Sequence, residues 1–454
     1  MNDVWIQPTA THRSVCELSR EELAAANAGP YNPRMRFRLL LVLLGTLAGG
    51  TAAAAPEGPA AAPGVTFSQE IARVLQQHCQ ECHRPGGSAP FEMIRYEHVY
   101  HRRDKILEAV EKRRMPPWKA VRGYGDLAGE RRLSETEIAT IARWVAGGAP
   151  EGDPRDLPPP RQFATGSAVG TDLVLRPEQP FTAPARAGDI YRCFSVATSF
   201  VEDRYFTAAE VVPGNSKIVH HVLAMVDPSG QSARLTSRDG AYGYPCFGGP
   251  GFRIDGYLGG WSPGSRPWEL PEGVAMLLPK GARVVFQLHY HNPRLTAETD
   301  HTELRLRAAS GPVQRRLQFM RVGQFRLTIP AGAPRHEIEA ESFVHRPMRL
   351  VAIHPHMHLL GREMKVWARM KDESIQPLIH IDDWDFHWQG FYFYRTPVAL
   401  PTGSWIELTA AWDNSDRNPR NPSKPPREVS WGERTTDEMG HAAILYTFDD
   451  EKVP

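Results

Sequence analysis

The sequence predicts a multidomain protein in which a small all-α domain precedes two all-β antiparallel sandwich domains of jelly-roll-like form. Three observations support this. A chain of 454 residues is too long for one ordinary hydrophobic core. Apolar residues recur at helical spacing only upstream of residue 150, and beyond a proline-rich stretch they alternate as half-buried strands do. The 40 prolines and 38 glycines suit short strands and many turns.

Residues 35–55 read as a secretory signal peptide: the basic start Met35-Arg36-Phe37-Arg38, an apolar run from Leu39 to Leu47, then small residues up to Pro56. The run is short for a bilayer span. A signal belongs at a chain start, so Met35 is expected to initiate and residues 1–34 to be a non-native upstream extension. The protein is therefore expected in the periplasm or secreted, with no stable span after cleavage; an uncleaved anchor is the alternative.

Residues 65–150 form the helical unit. Phe67, Ile71, Val74 and Leu75 share one helical face behind Ser68 as N-cap, and a second helix fits Arg103 to Arg113. Ser134 and Glu137 form a capping box before Ile138, Ile141 and Trp144, and Gly147-Gly148-Ala149-Pro150 ends that helix. After the first helix comes Cys79-Gln80-Glu81-Cys82-His83. Two thiols three apart followed by histidine make an attachment site for c-type haem; a zinc or thiol redox site is the competing reading. The second axial ligand is Met115 or Met93. Met115 is favoured because Pro116 and Pro117 hold an extended backbone after it. His/Met ligation suits electron transfer. The unit resembles class I cytochrome c domains through Val145, which implies a one-electron carrier.

Residues 151–170 are a proline-rich linker, with four prolines between Glu151 and Arg161. Strands are expected over Ile218–Val226, Arg283–His289, Arg349–Ile353, Met364–Ala368 and Trp405–Ala411, in sandwiches spanning 171–315 and 316–454. Of five cysteines, Cys16 falls upstream and two serve haem, so Cys193 and Cys246 remain as a disulfide pair or as two buried thiols. With 53 basic and 52 acidic residues there is no electrostatic footprint for nucleic acid.

The sandwiches carry a second group of metal-binding residue types: His220-His221, His289-Tyr290-His291, His354-Pro355-His356-Met357-His358 and Met439. Residues i and i+2 of a strand share a side, so His356 and His358 can face one ion. A thioether beside imidazoles selects copper. Adjacent residues on a regular strand face opposite ways, so His220 and His221 need a bulge or twist to share a metal.

Several segments are similar to motifs of the type II copper, ascorbate-dependent monooxygenases, the dopamine β-hydroxylase and peptidylglycine α-hydroxylating monooxygenase family. They are Asp189-Ile190-Tyr191-Arg192-Cys193, Val219-His220-His221-Val222, Leu288-His289-Tyr290-His291-Asn292-Pro293, His356-Met357-His358-Leu359-Leu360-Gly361-Arg362 and Thr436-Asp437-Glu438-Met439. The resemblance covers residues 170 to 450 and implies one copper per sandwich across a solvent cleft. His220, His221 and His289 would hold the electron-supplying ion. His356, His358 and Met439 would hold the ion that handles oxygen and substrate, which makes these three the catalytic residues. His291 and His354 match no ligand position. His354 stands where peptide-amidating members have arginine, and Gly440 stands where the family usually has cysteine. The expected function is a copper monooxygenase hydroxylating a C–H bond of a small organic substrate with O2. Its electrons would come from the fused haem, from ascorbate or from a redox partner protein. A non-catalytic copper/haem electron-transfer protein is the alternative, and a zinc hydrolase the third reading.

Overall fold

The structure, a computed structural model, describes residues 64–163, 168–235, 242–247 and 249–453. The expected upstream extension and signal segment, with Cys16, lie outside the described residues. The chain is mostly β-sheet with few helices. No helix among the described residues is long and apolar enough to cross a membrane.

The first helix opens as a π-turn over Phe67–Ile71 and continues as an α-helix over Ala72–His78. Its N-cap is Thr66, whose hydroxyl accepts the Gln69 N–H, and not the expected Ser68. The chain entry explains the difference. Phe67 and Ser68 donate their N–H groups to the carbonyls of Pro150 and Glu151, so the returning chain fixes the helix start two residues early and Ser68 is buried inside it. Helices over Tyr96–Tyr100, Arg103–Glu111 and Glu135–Ala146 follow. Tyr96–Tyr100 is too short to leave a periodic signal. Ser134 and Glu137 form the capping box expected of them. These helices bury Phe67, Ile71, Leu75, Ile106, Val110, Ile141 and Trp144 against one another, each contributing about 2 kcal/mol through area removed from water.

Beyond residue 170 the strands form two pairs of facing sheets. In the first pair, Tyr244–Pro245, Ala187–Ala197, Arg283–Asn292, Val219–Asp227 and Gly256–Trp261 lie side by side in that order. They cover a sheet whose main strands are Glu303–Ala308, Arg204–Val212 and Val274–Leu278. In the second, Gln318–Gln324, Gly440–Phe448, Met348–Met357 and Tyr392–Leu400 cover His336–Phe343, Trp405–Trp412, Gly361–Arg369 and Ile375–Ile381. Every pairing within these four sheets is antiparallel except the short Arg315–Arg316 bridge to Val274–Ala275. Val351, Ala352 and Leu445 of the second pair pack into the core of the first. Cys193 and Cys246 form a disulfide.

One connection left no mark in the sequence. The stretch between the Arg103–Glu111 and Glu135–Ala146 helices runs along the second sandwich, where Ala120 bridges Ile381 and Leu127 bridges Tyr394. Buried Lys119 pairs with Asp383 at 2.6 Å, and Arg131 donates to the carbonyl of Gly264 in the first sandwich.

Candidate metal centres

In the first sandwich, His289 and His221 stand opposite each other in adjacent strands, and the next pair is Tyr290 with Val219. His220 is therefore the extra residue of a β-bulge, which turns two consecutive histidines toward the same side. One ring nitrogen from each of His220, His221 and His289 lies within 4.8 Å of the other two, with 3.3 Å between Nδ1 of His220 and Nδ1 of His221. Asp189, one strand over, sits beside the third imidazole. Its carboxylate only accepts, so His289 donates through Nε2 to Oδ1 at 3.0 Å. That leaves Nδ1 of His289 buried with no partner, the orphaned atom expected where an ion belongs. Tyr191 stacks flat on His289, 4.2 Å away and 9° from parallel.

Electrostatics prepares these rings as ligands. Burial, reinforced by the neighbouring imidazoles, lowers His220 to about 3 and His221 well below the usual histidine range. Both are neutral at physiological pH, as metal ligation requires. The hydrogen bond from His289 holds the Asp189 carboxyl well below the usual carboxylate range. His291 is outside the triad: its half-exposed ring lies 3.4 Å from Asp189.

In the second sandwich, His356 and His358 have rings 5.1 Å apart and nearly perpendicular. His356 donates through Nδ1 to Oε1 of Gln389 at 2.5 Å, and the Gln389 amide is fixed because its nitrogen donates to the Phe386 carbonyl. His358 donates through Nδ1 to the Asp437 carbonyl at 3.0 Å. Each ring keeps Nε2 as its ligand atom, and burial lowers both below the usual range. In the ladder with Gly440–Phe448, His356 faces His441 and Met357 faces Gly440. One step further brings His358 and Met439 to the same end of the ladder, and Met439 is buried there.

Three residues that sequence reasoning passed over complete this region. Glu438 is fully buried, and its carboxyl accepts the N–H groups of His358 and Leu360 and the indole of Trp412 at 2.6–2.9 Å. Burial pushes it up to about 8 against those donors. His441 is buried 5.0 Å from the His356 ring, with Nδ1 unpartnered. Phe386 stacks on His220 at 5.3 Å and sets its ring edge-on to His358 at 5.9 Å, so one aromatic side chain separates the two histidine groups. The only advance signal was aromatic density in the segment from Trp384 to Trp388. His354 stacks on Phe391, and burial lowers it to about 4. Gly440 also has a physical reason, since a Cβ there would lie 2.6 Å from the Trp412 ring.

In the helical unit, His83 is buried and donates through Nδ1 to the Phe91 carbonyl at 2.9 Å, which leaves Nε2 available. Cys79 and Cys82 form no disulfide, and burial pushes the Cys79 thiol up to about 12. Met93 lies in the helical core, its N–H on the His83 carbonyl. Met115 lines a cavity of ≈ 500 Å³ with Trp118, Leu133 and Ile138.

A comparison with curated proteins finds one distant relative. DBH-like monooxygenase protein 1 of Mus musculus is 24% identical over 286 residues, covering 57% of this chain and 44% of that protein. The chain thus spans less than half of that relative's length. No protein-family profile matches. Among solved structures, the major capsid protein P2 of bacteriophage PM2 aligns with 62% of this chain at 8% identity and a TM-score of 0.25. The VP2 subviral particle of infectious bursal disease virus aligns with 61% at 8% identity and 0.17. Superpositions that poor bear on neither fold nor function. That relative is named as a monooxygenase, and in this chain the His220, His221 and His289 triad could hold a metal ion.

Proposed function

We propose that this protein is a secreted or periplasmic copper-dependent monooxygenase that hydroxylates a C–H bond of a small organic substrate with O2, its electrons arriving through a covalent c-type haem. The observation that carries the reading is the bulge-built triad of His220, His221 and His289, with an orphaned, buried Nδ1, one aromatic ring away from a second histidine pair. Copper, when bound, supplies one-electron redox steps and an open position for dioxygen. The triad would hold the electron-supplying ion, and His356, His358 and Met439 the ion facing oxygen and substrate. The thioether favours the reduced state.

The chain's own groups do the positioning. Asp189, Gln389 and the Asp437 carbonyl each hold one imidazole by the nitrogen that a metal does not need. Phe386 fills the space between the rings of His220 and His358. Cys79 and Cys82 would attach haem and His83 would ligate it, with Met115 as distal ligand in preference to core-packed Met93; haem supplies single electrons. The helical domain at 65–150 and the sandwiches at 171–315 and 316–454, joined by the 151–170 linker, would then act as one electron-transfer assembly. Ascorbate would serve as an external reductant.

The test loads the full-length protein with copper, supplies reduced haem as sole reductant, and follows oxygen uptake across phenethylamines and aromatic and aliphatic C–H donors. A product carrying one atom from labelled O2 is expected. Oxidation of haem by copper without any product would make the protein a non-catalytic electron carrier. Met439→Ile should abolish turnover and leave the haem spectrum unchanged; undiminished turnover would remove Met439 from the mechanism.

A further inference from the structure

Asp189 has a second bond that the triad does not require. While Oδ1 takes the proton of His289 Nε2, Oδ2 accepts the Thr435 hydroxyl at 2.7 Å. Thr435 lies 246 residues along the chain, in the second sandwich, four positions before Met439. The segment around it is otherwise held by the Arg434 N–H on Asp437, by the backbone bond from Gly432 N–H to the Glu438 carbonyl and by Glu438 itself. All of those contacts stay within the second sandwich. The Asp189–Thr435 bond crosses to the first, as does a hydrogen bond between the side chains of Tyr191 and Thr435.

We propose that Asp189 is a positioning residue acting in two directions: one oxygen fixes His289 in the tautomer that presents Nδ1, and the other latches the 433–439 segment across the cleft. Asp189 touches neither substrate nor ion. It joins the orientation of a triad ligand to the placement of the strand entry that carries Met439. A carboxylate suits both tasks, because it has two acceptor oxygens and no proton of its own to place. An asparagine could keep both partners by accepting from His289 and donating to the Thr435 hydroxyl oxygen, whereas an alanine removes both acceptors at once.

The assignment of copper to the triad comes from the proposed function, and the latch is testable without it. Hydrogen–deuterium exchange of the 433–439 peptide is measured on the full-length, metal-free protein, unaltered and as Asp189→Ala, Thr435→Val and the double variant. Cu(I) competition titration is run in parallel. Both single variants are expected to speed exchange at 433–439 at least tenfold, and the double variant no further than Thr435→Val alone, since that change already removes the bond to Asp189. Asp189→Ala should also weaken Cu(I) binding at the triad by 10–100-fold, the usual cost of losing a ligand's outer partner. Thr435→Val should leave that affinity within about twofold, which separates the two directions. Unchanged exchange in either single variant, or additive effects in the double, would overturn the latch. Failure of the unaltered triad to take up Cu(I) would sink the copper reading instead, with the exchange result still deciding the latch.

Discussion

The ring of Phe386 lies on that of His220, centroids 5.3 Å apart and planes 23° from parallel, while its edge meets His358. The side chain is only 8% exposed, so its removal opens a cavity that water can enter from the cleft. Phe386→Ala should cost about 3 kcal/mol of unfolding free energy, the low end for a core phenylalanine, as read by chemical denaturation. Copper content should stay at the unaltered value, because no ligand changes. If the proposed oxygenase reading holds, product formed per O2 consumed should fall, and Phe386→Leu should recover part of the loss. Full stability in the alanine variant would mean that the ring fills no defined space.

Glu438 gives a second prediction from burial and hydrogen bonding alone. Its carboxyl accepts from His358, Leu360 and Trp412, so Glu438→Ala leaves three buried donors without an acceptor. At about 1–3 kcal/mol for each orphaned donor, the variant should lose roughly 3 kcal/mol or more. Trp412→Phe removes only one donor and should cost about 1–2 kcal/mol less than the alanine variant. Equal losses in the two variants would show that the network is not the source.

The strands that carry the metal-binding residues were legible because their faces alternate. Val284, Phe286, Leu288 and Tyr290 alternate with other residues in Arg283–Asn292, although that central strand is buried at nearly every position, and Val219–Asp227 and Met348–Met357 mix buried with half-buried positions. A bulge or twist at His220 was legible as a condition for two adjacent histidines to share an ion, and the pairing register shows a bulge. What could not be read was set by contacts distant in sequence. Ser68 lost its capping role to Thr66 because the returning chain at Pro150 and Glu151 fixes the helix entry. His441 and Glu438 have no local signature, and their importance arises when the Gly440–Phe448 strand pairs beside His356. Phe386 sits on a loop with no period, and only folding brings it between two sandwiches.

That loop also sets a pH dependence. His387, next to Phe386, is raised above the usual histidine range by its hydrogen bond to Asp385 at 3.0 Å. A group whose folded pKa is raised stabilises the folded state fully below the unfolded value, near 6.5, and that contribution disappears as pH rises through the folded value. Corrected for intrinsic rates, hydrogen exchange at 382–390 should therefore be slower at pH 6 than at pH 8. His387→Asn should abolish the difference. Faster exchange at pH 6 would reverse the sign and refute the pairing.

The disulfide leads to the last prediction. Cys193 and Cys246 are 53 residues apart with Cα atoms 5.7 Å from each other, which is within normal bridging distance. Closing a loop of that length removes chain entropy from the unfolded state worth about 4 kcal/mol, so Cys193→Ala/Cys246→Ala should lose roughly that amount in chemical denaturation. The bridge has a local role as well. The Cys246 N–H donates to the Tyr191 carbonyl and Gln287 donates to the Cys246 carbonyl, which pins this loop beside the strand bearing Asp189 and Tyr191. Tyr191 in turn stacks on His289. Loss of the bridge should therefore speed exchange in 187–193 more than in the second sandwich, and a reductant should do the same to the unaltered protein. A uniform change across both sandwiches would assign the whole effect to the unfolded chain and none to the support of His289.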